Sequence, residues 1–400
     1  MTGPTTPVIP VVSVVDERLR SASICLAVDY GARHDPDGCG GLAHLLEHVL
    51  MSYRLPGGDS LSGHVARRGG EVNAETGLEH MLFHAQVLAE DLTEVLELLL
   101  RAVSTPEHAE DVLTAERAAV FQELAAAAAD PADVVQDAFL AALFPDHPLG
   151  RPVAGSAGEI TRLDGARLLA GHREEFLASR AVLAVVAPVA VTGAGIGTGW
   201  VPAPARPARP LGPVAREPVA WPEEFSWVSV GGRSAARGDR RRHAFSVLAQ
   251  LCASSSASPM YRQLRGEQGL AYSFHAWDRP YTEAGAWRVL VGTEPANCQS
   301  VVDTVTTTLA GLAEHGPAPD DLTDARRQVR GQLVFETERP LDHARLLAHR
   351  ALVNGPQWSV EAELAAIAEV TAEQVRAAAA EIAGDLVVSA RPTASRNLNR

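Results

Sequence analysis

The sequence contains an internal repeat, and this repeat constrains the possible fold more than any other feature. Residues 111–117 (DVLTAER) recur 209 residues later as residues 320–326 (DDLTDAR). The same shift carries the apolar segment at residues 80–83 onto residues 289–292. In each half, an apolar run that ends in glycine also precedes a helical pattern. A duplication over this length predicts two homologous α+β domains.

The length and one segment of unusual composition indicate where the domains separate. The chain has 400 residues, whereas a single domain commonly holds about 100 to 200. Residues 192–222 are crowded with glycine, proline, alanine and arginine, a composition typical of linkers. We therefore predict a first domain over residues 1–191, a linker over 192–222 and a second domain over 223–400.

Hydrophobic patterns in both halves predict strands mixed with helices. Alternating or β-branched runs predict strands at residues 23–28, 81–87, 182–186, 225–230 and 286–291. Longer periodic runs predict helices at residues 41–50, 89–103 and 112–129. Each half is therefore expected to combine a sheet with helices.

Charge and hydropathy exclude several classes of function. The chain carries 35 basic and 49 acidic residues, a formal net charge of −14. This balance disfavours nucleic acid or an anionic membrane as a partner, because phosphate binding needs a basic surface. The longest apolar run, residues 181–191, is shorter than a membrane helix of about 20 residues, and no secretory signal precedes it, so we expect a cytoplasmic protein.

The four cysteines contain no C-x-x-C pair and predict neither disulfides nor a thiolate metal site.

A metal site is indicated by His44, Glu47 and His48, which form an H-x-x-E-H pattern in a predicted helix. Residues four apart on a helix share a face, so the two histidines can present their imidazoles to one ion. Glu47 lies on the same side and can act as a general base on the attacking water. We therefore expect one Zn²⁺ per chain.

A catalytic zinc needs a third protein ligand, and Glu123 is the candidate. Glu123 follows His48 by 75 residues, also in a predicted helix. Glu116 precedes Glu123 by seven residues, about two helical turns, so the two carboxylates share one face. Glu116 can then orient a ligand or the water without touching the metal. The repeat carries these two glutamates onto Ala325 and Gln332, so the second half is predicted to have lost the site.

With these ligands, the chain resembles the inverted-motif zinc peptidases of the insulinase, pitrilysin and mitochondrial processing peptidase type. The resemblance covers nearly the whole chain and includes residues 70–76 (GEVNAET), 147–152 (HPLGRP) and 264–273 (LRGEQGLAYS). It implies a clamshell of two homologous domains, each a mainly antiparallel sheet packed against helices. It also implies that an edge strand binds substrate through Asn73, Ala74 and Thr76.

The resemblance also assigns roles in the second domain. In the family, the last of these segments supplies an arginine and a tyrosine that face the zinc. By this resemblance, Arg265 binds the substrate carbonyl and Tyr272 stabilises the tetrahedral oxyanion. Small members of the family often work as dimers, so a homodimer, or a heterodimer with a related subunit, is expected.

The chain departs from the family pattern at three places. Residues 51–54 (MSYR) replace Phe-x-Gly-Thr, the usual strand before Ser23 is not recognisable, and the linker replaces a helix after Val191. Simpler roles also remain open for five of these residues. Glu116 can be a solvated helix carboxylate, and Asn73 and Thr76 can cap a turn. Arg265 can lie at a surface helix end, and Tyr272 can be a core side chain.

Together, these patterns predict a zinc endopeptidase that hydrolyses short or unfolded peptides, with Glu47 as general base. One alternative is a subunit of a heteromeric peptidase, or a peptide-binding partner that is inactive alone. Another is a maturation protease that trims the leader of a single peptide product. The sequence names no substrate.

Overall fold

The computed structural model divides the chain into two compact units. It describes residues 9–55, 58–105, 110–192, 200, 206–216, 219, 221, 223–253, 255–271 and 273–392. The first unit comprises Met1–Leu124, Arg151–Pro207 and Phe335–Trp358. The second comprises Ala125–Gly150, Ala208–Val334 and Ser359–Arg400. Each unit therefore includes a segment from the other half of the sequence.

Both halves of the chain combine strands with helices. The first half contains β1 (Val11–Val15), β2 (Ser21–Val28), α1 (Leu42–Met51), α2 (Leu61–Arg67), β3 (Glu71–Thr76), β4 (Met81–Leu88), α3 (Leu92–Ser104), α4 (Glu110–Ala129), α5 (Pro131–Leu143), α6 (Ala157–Arg162), α7 (Gly165–Gly171) and β5 (Ala181–Ala187). The second contains β6 (Ser226–Ser234), α8 (Arg242–Leu251), α9 (Pro259–Tyr261), β7 (Ser273–Pro280), β8 (Gly285–Thr293), α10 (Cys298–His315), α11 (Pro319–Glu338), α12 (Pro340–Asn354), α13 (Val360–Ala368), α14 (Ala372–Gly384) and β9 (Val387–Arg391).

The two sheets have corresponding strand orders. The sheet of the first unit runs β1-β5-β2-β4-β3, with β1 parallel to β5 and every other pair antiparallel. The sheet of the second unit runs β7-β8-β6-β9 and is antiparallel throughout. Read in the opposite direction, β9-β6-β8-β7 matches β5-β2-β4-β3. The predicted fold class, two homologous α+β domains with mainly antiparallel sheets, is confirmed.

Each unit uses a helix from the other half of the sequence to cover its sheet. In the first unit, α12 packs on β2, β4 and β5 through buried apolar side chains that include Ala344, Leu347 and Ala351. In the second unit, α5 packs on β6, β8 and β9, and Arg233 donates two hydrogen bonds to the Leu143 carbonyl. Covering both faces of a sheet explains the continuous apolar runs of the central strands. The predicted boundaries at residues 191 and 223 remain a prediction.

Proline determines where α5 and α12 begin, the two helices that pack on the sheet of the other half of the sequence. The long helices α4 and α11 end at Ala129 and Glu338, and α5 and α12 begin at Pro131 and Pro340. Proline suits the first turn of a helix but interrupts a continuing one, because it lacks the N–H group. The 209-residue shift of the repeat holds for these helices, because Pro319, the first residue of α11, follows Glu110, the first residue of α4, by that number.

Two sequence expectations need correction. A strand does precede Ser23: β1 lies at the sheet edge beside β5, and its short run of apolar residues after Pro10 gave a weak signal. The repeat shift is also not constant, because β4 and β8 begin 204 residues apart, at Met81 and Gly285. The loops between corresponding elements therefore differ in length, while the elements themselves correspond.

Two further expectations concern hydropathy and cysteine. None of the helices in the described ranges combines the length and hydropathy that crossing a bilayer requires. The four cysteines are buried, and none is paired in a disulfide.

Candidate metal centre

Helix α1 presents a single polar stripe. Within Leu42–Met51, residues 42, 43, 45, 46, 49 and 50 are buried against the core of the first unit. His44, Glu47 and His48 are only half-buried. Positions i, i+3 and i+4 share one face of a helix. Burial of the apolar positions therefore directs all three polar side chains toward the same side.

A buried carboxylate fixes the start of this helix. Asp35 Oδ1 accepts hydrogen bonds from the Ala43 backbone N–H and the Tyr30 hydroxyl, both at 3.0 Å. The first N–H groups of a helix have no partner within the helix, so a carboxylate at this end satisfies them. Asp35 therefore anchors the segment that carries His44, a role that its position in a loop did not indicate.

Helix α4 brings the third donor to this stripe. Its buried residues Leu113 and Val120 alternate along one face with Glu116 and Glu123. Glu123 Oε2 lies 3.3 Å from His44 Nε2 and 3.4 Å from His48 Nε2. Within the described part of the chain, these three residues form the one group of histidine, cysteine or carboxylate side chains with metal-binding spacing.

The three donors fit a zinc ion. Ligand atoms on a tetrahedral zinc, with bonds of about 2.0 to 2.2 Å, lie about 3.3 to 3.6 Å apart. The two separations from Glu123, 3.3 and 3.4 Å, match this spacing, and the three donor atoms all lie within 4.8 Å of one another. The two separations exceed the length of a good hydrogen bond, about 2.7 to 3.2 Å. Burial, and then the neighbouring His48, lower the pKa of His44, which favours the neutral imidazole that a metal requires.

Glu116 contacts His48 at Nδ1, the ring nitrogen that does not face Glu123. Its Oε2 lies 3.2 Å from His48 Nδ1, which leaves His48 Nε2 directed at Glu123. Its other oxygen accepts a hydrogen bond from the Ser52 hydroxyl at 2.5 Å. Carboxylates behind metal-binding histidines commonly fix their tautomer and orientation. The sequence did not single out Ser52, because a serine just after a helix has no distinctive signature.

Glu47 and strand β3 are joined by a hydrogen bond. The Thr76 hydroxyl donates to Glu47 Oε2, and Thr76 is the last residue of β3. Burial raises the pKa of Glu47, while the Thr76 hydrogen bond opposes this shift. A carboxylate with a raised pKa is better suited to accept a proton near neutral pH. The structure therefore places Thr76 against Glu47.

The other residues predicted to bind substrate are divided between the two units. Asn73 and Ala74 lie on β3 at the edge of the first sheet, where Asn73 Oδ1 accepts the Ala74 N–H at 2.9 Å. Arg265 belongs to the second unit, with its guanidinium 5.6 Å from the centre of the Tyr261 ring. Tyr272 lies outside the described residues. The roles assigned to these residues remain predictions.

The second unit lacks the site residues of the first unit at the corresponding positions of α8 and α11. Helices α1 and α8 are both ten residues long, and aligning their first residues places Ala244, Val247 and Leu248 opposite His44, Glu47 and His48. All three are buried in the core of that unit. Glu116 and Glu123 correspond to Ala325 and Gln332 in α11. These five positions in the second unit therefore provide no metal-binding side chain apart from an amide.

Asp35 provides a pH-dependence test of how the helix is anchored. Burial raises its pKa from 3.8 to about 7, so folding favours the protonated carboxyl. The protonated Asp35 carboxyl therefore stabilises the folded state at low pH, and this stabilisation is lost as the pH rises toward about 7. Between pH 5 and pH 8, the unfolding free energy of wild type is expected to fall by roughly 2 to 4 kcal/mol relative to Asp35→Asn.

Urea unfolding of zinc-free wild type and Asp35→Asn, compared at each pH, measures this difference. The two proteins differ only at residue 35, so the contributions of the other ionisable groups largely cancel. If the difference in unfolding free energy between wild type and Asp35→Asn were the same at pH 5 and pH 8, the expectation would be wrong.

Comparison with known proteins adds family matches over both halves. A family model described as Insulinase (Peptidase family M16) matches residues 10–157. A model described as Peptidase M16 inactive domain matches residues 192–329. An uncharacterized zinc protease of Mycobacterium tuberculosis (strain H37Rv) is 32% identical over 374 residues, covering 90% of this chain and 85% of that protein.

Solved structures share the fold at low sequence identity. A peptidase M16 inactive domain from Pseudomonas fluorescens superposes with a TM-score of 0.82 at 19% identity, covering 95% of both chains. A protease from Helicobacter pylori gives a TM-score of 0.82 at 18% identity, covering 95% of this chain and 96% of that one. These likenesses support the architecture described above.

Proposed function

Because the chain belongs to the insulinase family of peptidases, family M16, we propose that it is a zinc-dependent endopeptidase acting on short or unfolded peptides. The observation that carries this proposal is the group His44, His48 and Glu123, with zinc-like spacing and with Glu47 on the same helix face. Relatives named zinc proteases support the choice of metal.

The side chains around the metal would divide the chemistry. His44, His48 and Glu123 would hold zinc, which, when bound, supplies an acidified water and polarises the scissile carbonyl. Glu47 would take a proton from the attacking water and return it to the leaving amine. Its burial and its bond to Thr76 support this role, because both restrict the carboxylate to one position. Glu116 would keep His48 oriented.

Strand β3 would bind the substrate by its main chain. It lies at the edge of the first sheet and ends at Thr76, in hydrogen-bond contact with Glu47. A peptide that adds to such an edge is recognised through backbone hydrogen bonds, which suits extended and unfolded chains. Asn73 and Ala74 would contact this peptide, and Arg265 and Tyr272 would complete the site as the family resemblance implies.

Hydrolysis of a quenched-fluorescent peptide pool by the purified chain tests the proposal. We expect cleavage by the zinc-loaded chain, loss of cleavage after chelation and recovery on adding zinc. A zinc-loaded chain that cleaves no peptide would contradict self-sufficient activity and would favour the alternative, a subunit that needs a related partner. Measuring the mass in solution tests the expected dimer, and the cytoplasmic location remains a prediction.

Thr76→Val separates a role in holding Glu47 from a role in binding substrate. A hydrogen bond to a charged group contributes about 1.5 kcal/mol or more, so losing the hydroxyl should lower kcat about tenfold with KM little changed. Thr76→Ser keeps the hydroxyl and should retain most activity. Steady-state kinetics at equal zinc content give the answer. A raised KM with unchanged kcat would instead support contact with the substrate.

A further inference from the structure

Three contacts join Ser52 to the metal-binding histidine His48. Ser52 directly follows α1, and its backbone N–H donates to the His48 carbonyl at 3.0 Å. Its hydroxyl donates to Glu116 Oε1 at 2.5 Å, and Glu116 Oε2 lies 3.2 Å from His48 Nδ1. The contacts form a closed loop from the His48 backbone through Ser52 and Glu116 to the His48 imidazole.

We propose that Ser52 is a positioning residue for the metal, because it holds Glu116 in the orientation that fixes the His48 ring. A carboxylate with one hydrogen-bond partner can rotate about its terminal bond. Here the two oxygens of Glu116 have different partners, one from the end of α1 and one from the imidazole. Two partners fix the plane of the carboxylate and, through it, the direction of His48 Nε2.

The other histidine has no such support. His44 Nδ1 is buried, and none of the described residues gives it a hydrogen-bond partner. Of the two histidines, His48 is therefore the one whose ring is oriented by a hydrogen bond among the described residues, between its Nδ1 and Glu116. Glu116 keeps 22% of its side chain exposed, so without the Ser52 hydroxyl, water could compete for the free oxygen. The residues that replace the family's Phe-x-Gly-Thr therefore supply a local support for the site.

Zinc affinity tests the role of Ser52 directly. This inference rests on the metal site of the proposed function but not on peptide hydrolysis. We expect Ser52→Ala to weaken zinc binding about tenfold, the lower end of the effect for groups behind metal ligands. Ser52→Thr keeps a hydroxyl and should bind zinc within about twofold of wild type. Ser62→Ala, at an exposed serine of α2 in the same unit, is the matched control.

A double-mutant comparison distinguishes positioning from a general loss of structure. If Ser52 acts through Glu116, then adding Ser52→Ala to Glu116→Ala, which has no oxygen left to accept the Ser52 hydroxyl, should weaken zinc binding little further. Competition with a chelating indicator gives the dissociation constants, and circular dichroism of the zinc-free proteins shows that they fold. Ser52→Gly provides a second variant without the hydroxyl if Ser52→Ala does not fold.

The outcomes separate this inference from the proposed function. Wild type that binds zinc, with Ser52→Ala or Ser52→Gly binding it equally well, would overturn the role of Ser52 alone. Additive losses in the double mutant would also overturn it, because Ser52 would then act independently of Glu116. Wild type that binds no zinc would overturn both the metal site and this inference.

Discussion

Replacing Glu47 by glutamine is expected to lower kcat by about 10² to 10⁴-fold, the usual contribution of a general acid or base. Glutamine has nearly the same shape, and its amide oxygen can still accept the hydrogen bond from Thr76. An amide cannot take a proton from the attacking water. Glu47 is also absent from the group with metal-binding spacing, so zinc content should not change.

The measurement compares zinc content and peptide hydrolysis in wild type and Glu47→Gln. Glu97→Gln, at an exposed glutamate of α3 in the same unit, is the matched control and should keep full activity. Turnover by a zinc-loaded Glu47→Gln protein at the wild-type rate would remove Glu47 from the mechanism. Loss of zinc from this variant would instead indicate that Glu47 is a ligand.

Replacing Glu123 by alanine should have the largest effect on the metal. Only His44 and His48 would remain as protein ligands, whereas catalytic zinc sites commonly use three. We expect zinc binding to weaken by more than about 100-fold, which is more than the loss expected for groups that hydrogen-bond to a metal ligand without binding the metal. Glu123 is 53% exposed, so the substitution should leave the fold of α4 intact.

Gln122→Ala is the control for this variant, because Gln122 is an exposed neighbour on the same helix. Dissociation constants from chelator competition are compared with hydrolysis at increasing zinc concentration. Activity of Glu123→Ala should fall with zinc occupancy. Zinc binding as tight as in wild type would mean that another residue is the third ligand.

The supporting contacts show why sequence and structure contribute different information. His44, Glu47 and His48 could be recognised because helix geometry fixes their common face within one turn. Ser52 and Asp35 could not, because serine and aspartate occur widely at helix ends and in loops, and their partners depend on the packing of distant segments. Thr76 was assigned to substrate, and the structure adds its hydrogen bond to Glu47.

Features that depend on local periodicity could be predicted from the amino-acid sequence. It gave two homologous α+β halves, the polar stripe of α1, the shared face of Glu116 and Glu123, and the loss of both glutamates in the second half. Each follows from the repeat of a helix or strand, or from comparison of the two halves. No long-range contact was needed to find them.

Which helix and sheet surfaces pack together could be seen only in the folded chain. An apolar helix face shows that a helix packs against something, but burial is non-directional and does not name the partner. Helices α5 and α12 therefore pack on sheets of the opposite halves, against the order of the sequence. For the same reason, the approach of Glu123 to His44, and the bonds from Ser52 and Thr76, appear only once the chain has folded.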